Sequence, residues 1–283
     1  MPSLSRGLKI IIFFLIYVLV TQIVFGVVFE IGIMFGFFSE SPNFMVLIIF
    51  TQIISFFIPF IMYLLFTRQR MKDVLLFSPL GAKNLFLVIG LTLLFLPITS
   101  FISALSTVFF DNIVAEVLEH TTNVYPFWLA ILAIGITPSI FEELMLRGAI
   151  YKEYENSSIS KAAIINGLIF GIVHLNLQQF FYAALLGILF TYIMYYTRSI
   201  VAPIIMHFII NASNVSLMYA IPFLQGLYTD NNGYVDESQL YYEEPNILFI
   251  VLIMGGISLL FLPPIIYIFK ELISHNKLRH RVV

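Results

Sequence analysis

Six residues with ionisable or amide side chains stand inside otherwise apolar stretches of this sequence. They are Glu142, Glu143, Arg147, His174, His207 and Asn211. At membrane depth an unpaired charged side chain costs on the order of 3 kcal/mol, so such groups are usually paired, hydrated and functional. We therefore expect these side chains, contributed by three separate apolar segments, to meet around one water-filled pocket.

The spacing within the first segment predicts different surroundings for its two glutamates. Glu143 and Arg147 are four residues apart, share a helix face and can form an ion pair. Glu142 is turned about 100° away from Glu143, so its partner must come from another helix. Pro138, four residues before Glu142, removes a backbone donor. In a membrane such breaks occur where protein or water satisfies the freed backbone group, which indicates a hydrated cavity beside Glu142.

The two later segments each present polar groups on a defined face. His207 and Asn211 are four residues apart and project from the same side of a helix. Gly167 and Gly171 have the small-xxx-small spacing that lets two helices approach closely. Such packing would fix the orientation of His174, which lies on the same segment.

These residue types together suit hydrolysis of an amide bond without a covalent intermediate. A glutamate next to a histidine can bind and deprotonate a water molecule. A neighbouring histidine and asparagine supply donors for the developing oxyanion. The sequence has no HExxH pattern, no Ser or Lys in a nucleophile motif, and no cysteine, which excludes a Cys nucleophile and thiolate metal sites.

Two other interpretations of the same residues stay open. Glu142, His174 and His207 comprise one carboxylate and two imidazoles, which is a plausible zinc ligand set. Glutamates and histidines in membrane helices also form proton relays, which would suit a proton-coupled transporter. A non-enzymatic immunity or regulatory protein that binds a peptide without cutting it belongs to the same second class.

The composition indicates that membrane helices position these residues. The chain has 283 residues, of which 60% are hydrophobic and 11% charged, whereas soluble domains have roughly 45–50% apolar and 25% charged residues. A span needs about 20 mainly apolar residues. This rule predicts an all-α polytopic membrane protein of about eight helices, forming a single domain over 1–283 with its catalytic core at about 126–220. The predicted spans are 10–37, 44–66, 84–108, 126–150, 161–175, 179–197, 200–220 and 246–269.

The distribution of charge predicts the orientation of these spans. With the N-terminus inside, all 14 Lys and Arg residues fall on or near the cytoplasmic side. The opposite connectors, 38–43, 109–125 and 221–245, contain no Lys or Arg. By the positive-inside rule, both termini are expected in the cytoplasm. The sequence shows no basic patch for nucleic acid, and it predicts no oligomeric state.

One depth relation does not fit these boundaries. If the fourth span ends at Ile150, Glu142 lies about 12 Å from its end, whereas His174 lies about 20 Å from Lys161. Either the fourth span ends later or the fifth helix begins in the cytoplasm. We favour a fifth helix that projects beyond the membrane surface.

The sequence resembles the CAAX-protease and bacteriocin-processing family of intramembrane glutamate peptidases, also called the Abi family. The family pattern is EExxxR, then FxxxH, then HxxxN, on three membrane helices. The matching residues here are Glu142, Glu143 and Arg147, then Phe170 and His174, then His207 and Asn211. The motifs cover about 138–214, and the predicted eight spans extend the resemblance over the whole chain.

The resemblance implies roles for the residues in the first two motifs. Glu142 is similar to the family's general base, and His174 to its partner in holding the water. Glu143 with Arg147 resembles a structural and electrostatic support. A metal-independent reaction without a cofactor is therefore expected.

For the third motif, the resemblance implies that His207 and Asn211 donate hydrogen bonds to the oxyanion. The family includes prenyl-protein endopeptidases and bacterial members linked to peptide maturation, self-immunity to bacteriocins and surface-protein handling. The Phe- and Ile-rich chain without cysteine looks bacterial, and bacteria generally lack protein prenylation. We therefore expect a cell-membrane protein whose partners are lipid and a peptide precursor or membrane-protein tail, rather than a CAAX substrate.

Overall fold

Apolar helices account for almost all of the backbone that the structure describes. The computed structural model describes residues 5–35, 44–112, 124–228 and 246–279. Within these residues, eight apolar helices follow one another, and no strand is formed apart from one isolated bridge between Phe77 and Ser199. The helices are α1 Arg6–Met34, α2 Phe44–Thr67, α3 Ala82–Thr107, α4 Phe127–Tyr154, α5 Ile159–Ile172, α6 Leu177–Thr197, α7 Val201–Tyr228 and α8 Ile247–Arg279.

Seven of these eight helices are long and apolar enough to cross a membrane. The exception is α5, whose 14 residues give a helix of about 21 Å. Large apolar side chains face outward from the bundle, for example Leu252 at 74% exposure and Leu260 at 76%. Such surfaces suit lipid rather than water. The predicted all-α polytopic membrane fold is confirmed, with the fifth apolar helix shorter than a full span.

One core joins all eight helices. Its buried apolar side chains include one from each helix in turn: Phe14, Phe60, Leu91, Leu146, Ile169, Phe190, Met206 and Leu272. Because every helix contributes to the same cluster, the polar residues of different helices are held in fixed relative positions.

Several helix ends with basic residues meet at one end of the bundle. Arg6 Nη2 at the start of α1 lies 2.7 Å from Glu153 Oε1 at the end of α4, and Tyr63 Oη of α2 donates to the same oxygen at 2.8 Å. Lys83 at the start of α3 pairs with Glu271 near the end of α8 at 2.7 Å. This agrees with the charge asymmetry of the sequence. The cytoplasmic orientation of the termini stays a prediction, and most of the outer connectors lie outside the described residues.

A helical hairpin carries the second predicted motif. The Ser158 hydroxyl accepts from Lys161 N at 3.3 Å at the start of α5, and the Asn176 side chain accepts from Gln178 N at 2.9 Å at the start of α6. Such caps satisfy backbone N–H groups that have no partner within the helix. The four residues 173–176 form the turn between the two helices, and this turn contains His174.

The hairpin is closed by the glycine contacts that the spacing predicts. A Cβ on Gly187 would lie 2.7 Å from the Cα of Gly167, so neither backbone can carry a side chain there. A Cβ on Gly171 would meet the Phe180 ring at 2.7 Å. From α1, Gln22 Nε2 donates to the Val173 carbonyl at 3.1 Å. The turn that carries His174 is therefore held from two sides.

Wider π-helical turns interrupt the two helices that contribute Gln52 and Glu142. In α2 a π turn at Ile53–Phe57 begins directly after Gln52. In α4 π turns occupy Ile131–Ile136 and Leu144–Ile150, on both sides of the segment with Glu142. Such turns are often found at functional sites because they re-aim neighbouring side chains.

The helix that carries the fourth predicted span is longer than expected. α4 continues to Tyr154, four residues beyond the predicted end. Glu142 therefore lies about 18 Å from that end, similar to the length of α5, which is about 21 Å. Glu142 and His174 thus lie at similar distances from these helix ends, and a fifth helix that projects beyond the membrane surface stays a prediction.

Candidate active site

A cavity of about 380 Å³ lies between α2, α4, α6, α7 and the turn after α5. Of the six residues singled out in the sequence, four line it and two lie behind it. The four lining residues are Glu142, His174, His207 and Asn211. The others, Glu143 and Arg147, are fully buried. Two helices, α4 and α7, and the turn after α5 thus bring the predicted polar groups together in a single region.

Glu142 presents one occupied and one open oxygen to this cavity. Gln52 Nε2, from α2, donates to Glu142 Oε1 at 3.0 Å. Glu142 Oε2 is buried and has no hydrogen-bond partner within the described residues. A buried carboxylate oxygen without a donor is costly. The cavity beside it is large enough for water, which would supply the missing donor.

Behind the cavity, Glu143 and Arg147 form the ion pair that their spacing predicts. Arg147 Nη1 donates to Glu143 Oε1 at 2.9 Å, and Nη2 donates to the Gly187 carbonyl at 3.1 Å. The guanidinium carbon lies 4.8 Å and 5.3 Å from the ring centres of Phe170 and Phe190. Hydrogen bonds and aromatic faces together compensate for burying this cation.

His207 links the two carboxylates. Its Nδ1 lies 2.9 Å from Glu143 Oε1, and its Nε2 lies 3.9 Å from Glu142 Oε2. Because an ionised carboxylate only accepts hydrogen bonds, Nδ1 carries the proton. His207 Nε2 then faces the cavity, where it donates only if the imidazole is doubly protonated.

His174, in the turn after α5, is oriented by the end of that helix. Its Nδ1 lies 2.6 Å from the Phe170 carbonyl, which can only accept, so this nitrogen carries the proton. In the neutral imidazole, Nε2 is then a free acceptor. The Phe170 ring packs edge-to-face against both imidazoles, with centroid distances of 5.0 Å to His174 and 5.5 Å to His207. The Phe of the second motif therefore holds both histidines in place.

Asn211 donates to a backbone carbonyl in the π turn before Pro138. Pro138 has no N–H to give to that turn, and Thr137 N bonds to the Leu132 carbonyl, five residues back. Asn211 Nδ2 donates to the Ile134 carbonyl at 2.9 Å. A carboxamide nitrogen carries two hydrogens. One N–H of Asn211 is therefore used structurally, and the other remains for a ligand.

The zinc interpretation gains no support from this geometry. It requires Glu142, His174 and His207 to converge on one point. Among the described residues, no group of three His, Asp or Glu side chains is arranged to hold a metal ion.

Sequence reasoning missed three amide side chains that line the cavity. They are Gln52, Gln179 and Asn214. Gln52 had a detectable signal, because an amide inside an apolar span needs a partner. Asn214 also had one, since it extends the face of His207 and Asn211 by another helical turn. Gln179 lies near the start of α6 and had no comparable signal.

Comparison with protein families agrees with the motifs. Residues 123–213 match the family model described as type II CAAX prenyl endopeptidase Rce1-like. The match covers about a third of the chain and contains all six residues singled out in the sequence. The resemblance to the CAAX-protease family is thereby confirmed for this segment. Comparison with curated proteins and with solved structures gave no match.

Proposed function

Because residues 123–213 match the Rce1-like endopeptidase family model, we propose that this membrane protein is a metal-independent glutamate endopeptidase. The observation that carries the proposal is the open Oε2 of Glu142, which lines a cavity together with two imidazoles and an amide. The scaffold supplies each of the functions required for attack of water on a peptide carbonyl.

Activation of the water uses two acceptors. Glu142 Oε2 and His174 Nε2 both accept hydrogen bonds, and a water molecule has two O–H bonds to donate. Held in this way, the water keeps its lone pairs for the scissile carbonyl carbon. Glu142 takes one proton as the new C–O bond forms, and it later gives that proton to the leaving amide nitrogen.

The residues that stabilise the oxyanion lie on α7. The second N–H of Asn211 is directed by the bond that the first makes to Ile134. His207 adds a donor from Nε2 when this nitrogen is protonated, and its Nδ1 bond to Glu143 holds the ring. Glu143 and Arg147 act through His207 and are positioning residues.

The substrate is proposed to be an unprenylated peptide precursor or the tail of a membrane protein in a bacterial cell membrane. The non-enzymatic hypothesis in which the cavity binds a peptide predicts that the Glu142→Gln form keeps its biological effect, whereas a proton relay through Glu142 predicts that this form loses it. One feature disfavours the relay. A chain of close contacts runs from Glu142 through His207 and Glu143 to Arg147. Its far end at Arg147 is fully buried, so a proton would have no exit to water there.

The test uses the purified full chain, a pool of fluorogenic peptides and a metal chelator. We expect cleavage to continue in chelator and to fall about 10³-fold in Glu142→Gln, because an amide cannot act as the base. The matched control is Glu271→Gln, an exposed glutamate on α8 that pairs with Lys83. Loss of cleavage in chelator would favour the zinc interpretation. Cleavage by Glu142→Gln at the parent rate would remove the glutamate from the proposed role.

A further inference from the structure

A second cavity adjoins the catalytic one. It has a volume of about 420 Å³ and lies between α3, α6 and α7. Tyr182, Ile210 and Asn214 line both cavities, so the two adjoin at these residues. We call the second cavity the polar groove.

The polar groove carries hydroxyl and amide groups among apolar side chains such as Leu217 and Met218, and the described residues contribute no charged side chain to it. On one side Gln178 is buried, and its Nε2 donates to Ser103 Oγ at 2.8 Å. Ser100 on α3 and Asn214 on α7 are exposed, and neither has a hydrogen-bond partner within the described residues. Polar groups at membrane depth are costly unless something pairs with them.

An extended polypeptide supplies the partners that these groups lack. The helical segment around a peptide bond must unwind before that bond is hydrolysed. In a bilayer the residues next to the bond then lose their backbone hydrogen bonds. Uncharged hydroxyl and amide side chains can donate to and accept from such a backbone without regard to its sequence. An isoprenoid chain has no donor or acceptor and would leave Ser100 and Asn214 unpaired.

We propose that the polar groove binds the extended backbone of the substrate on one side of the scissile bond, and that it selects polypeptide over an isoprenoid. This inference rests on the proposed peptidase function. Asn214 is seven residues beyond His207 on α7, or about 10 Å along the helix. An extended chain covers that distance in about three residues, so the groove begins about three residues from the scissile bond.

The experiment measures binding separately from cleavage. A fluorescent peptide with an uncharged Ala, Ser and Leu centre is titrated against the full-length Glu142→Gln form. Ser100→Val and Asn214→Leu are added to that form singly and together, and Ser216→Val, an exposed residue of α7 outside both cavities, is the matched control. We expect the pair to raise Kd about tenfold and the control to leave it unchanged.

Two ligand variants identify the occupant without relying on the protein variants. N-methylation of a backbone amide about three residues from the bond should weaken binding to the Glu142→Gln form, and much less so when Asn214→Leu is added. A farnesylated peptide of the same sequence should gain nothing from the groove. Tighter binding of the farnesylated peptide than of the plain peptide to the Glu142→Gln form, with Ser100 and Asn214 intact, would instead identify an isoprenoid site and overturn the proposal.

The groove proposal and the peptidase proposal predict different outcomes. If Glu142→Gln abolishes cleavage but the groove variants bind the peptide as tightly as the Glu142→Gln form without them, the groove proposal is wrong and the peptidase stands. If the parent cleaves nothing while the groove variants weaken peptide binding, the peptidase is wrong and the groove remains a peptide site.

Discussion

Two glutamates adjacent in the chain have opposite surroundings. Glu143 is fully buried, and its Oε1 accepts from Arg147 and lies 2.9 Å from the His207 ring. Glu142 lines a cavity, whereas Glu143 does not. In the described part of the chain the Oε2 atom of each glutamate has no hydrogen-bond partner, and that of Glu142 belongs to the residue at the cavity. About 100° around one helix separates Glu143, which supports the fold, from Glu142, which faces the cavity. Variants on the two sides should therefore affect different measurements.

The largest expected effect is on stability, at the buried side. Arg147→Met leaves the buried Glu143 without its cationic partner, with the His207 bond remaining. It also removes the bond to the Gly187 carbonyl. We expect a loss of about 3–5 kcal/mol in the free energy of unfolding, measured by denaturant titration of the protein in detergent.

The control is the double variant Glu143→Gln, Arg147→Met, which removes both charges. It should recover much of the stability that the single variant loses. A single variant as stable as the parent would mean that the pair does not support the fold, and the contrast between the two sides would disappear.

On the cavity side, His174→Ala should act on catalysis rather than on folding. The water loses one of its two acceptors, so we expect kcat/KM to fall about 10²- to 10³-fold. The only polar bond of this side chain that the structure shows is to its own helix, at Phe170. The melting temperature should therefore change little, and a large fall in it with kcat/KM preserved would place His174 on the structural side.

Gln52 tests the cavity side by itself, because within the described residues it donates a hydrogen bond to Glu142 and none to Glu143. Gln52→Leu removes the donor to Glu142 Oε1. The carboxylate is then less firmly oriented, and we expect kcat to fall about tenfold with KM nearly unchanged. Steady-state kinetics on the cleaved peptide distinguishes this from a binding effect, in which KM would rise and kcat would not.

The smallest expected effect concerns Pro138 and Asn211. Asn211→Leu leaves the Ile134 carbonyl without its side-chain donor and should cost about 1–2 kcal/mol of stability. Pro138→Ala restores a backbone N–H in the turn that follows that carbonyl, so it should rescue the Asn211→Leu form. We expect a coupling of about 1 kcal/mol in a double-mutant cycle of denaturant unfolding. Additive effects would show that the carbonyl does not link the two residues.

The sequence was sufficient for the helices because apolar length alone specifies a span. The spans near 44–66 and 179–197 agree with α2 and α6 within two residues. The end of α4 was missed because its last turn, Tyr151–Tyr154, carries Lys152 and Glu153 and has the composition of a loop. The boundaries of a single domain, with a catalytic core at about 126–220, stay a prediction.

The site was predictable in its members and less so in its arrangement. Polar residues inside apolar spans marked Glu142, His174 and His207, and the i, i+4 spacing marked the pair with Arg147. The bond from Asn211 to Ile134 depends on how α4 and α7 pack, which periodicity does not describe. The π turns leave no signal in composition, and they adjoin the very residues that the site uses.

The most direct test compares Glu142→Gln with Glu143→Gln in the same purified protein, measuring peptide cleavage and melting temperature together. The account predicts that Glu142→Gln loses cleavage by about 10³-fold with its melting temperature preserved, whereas Glu143→Gln lowers the melting temperature. Full cleavage by the Glu142→Gln form would contradict the account, whatever the second variant does.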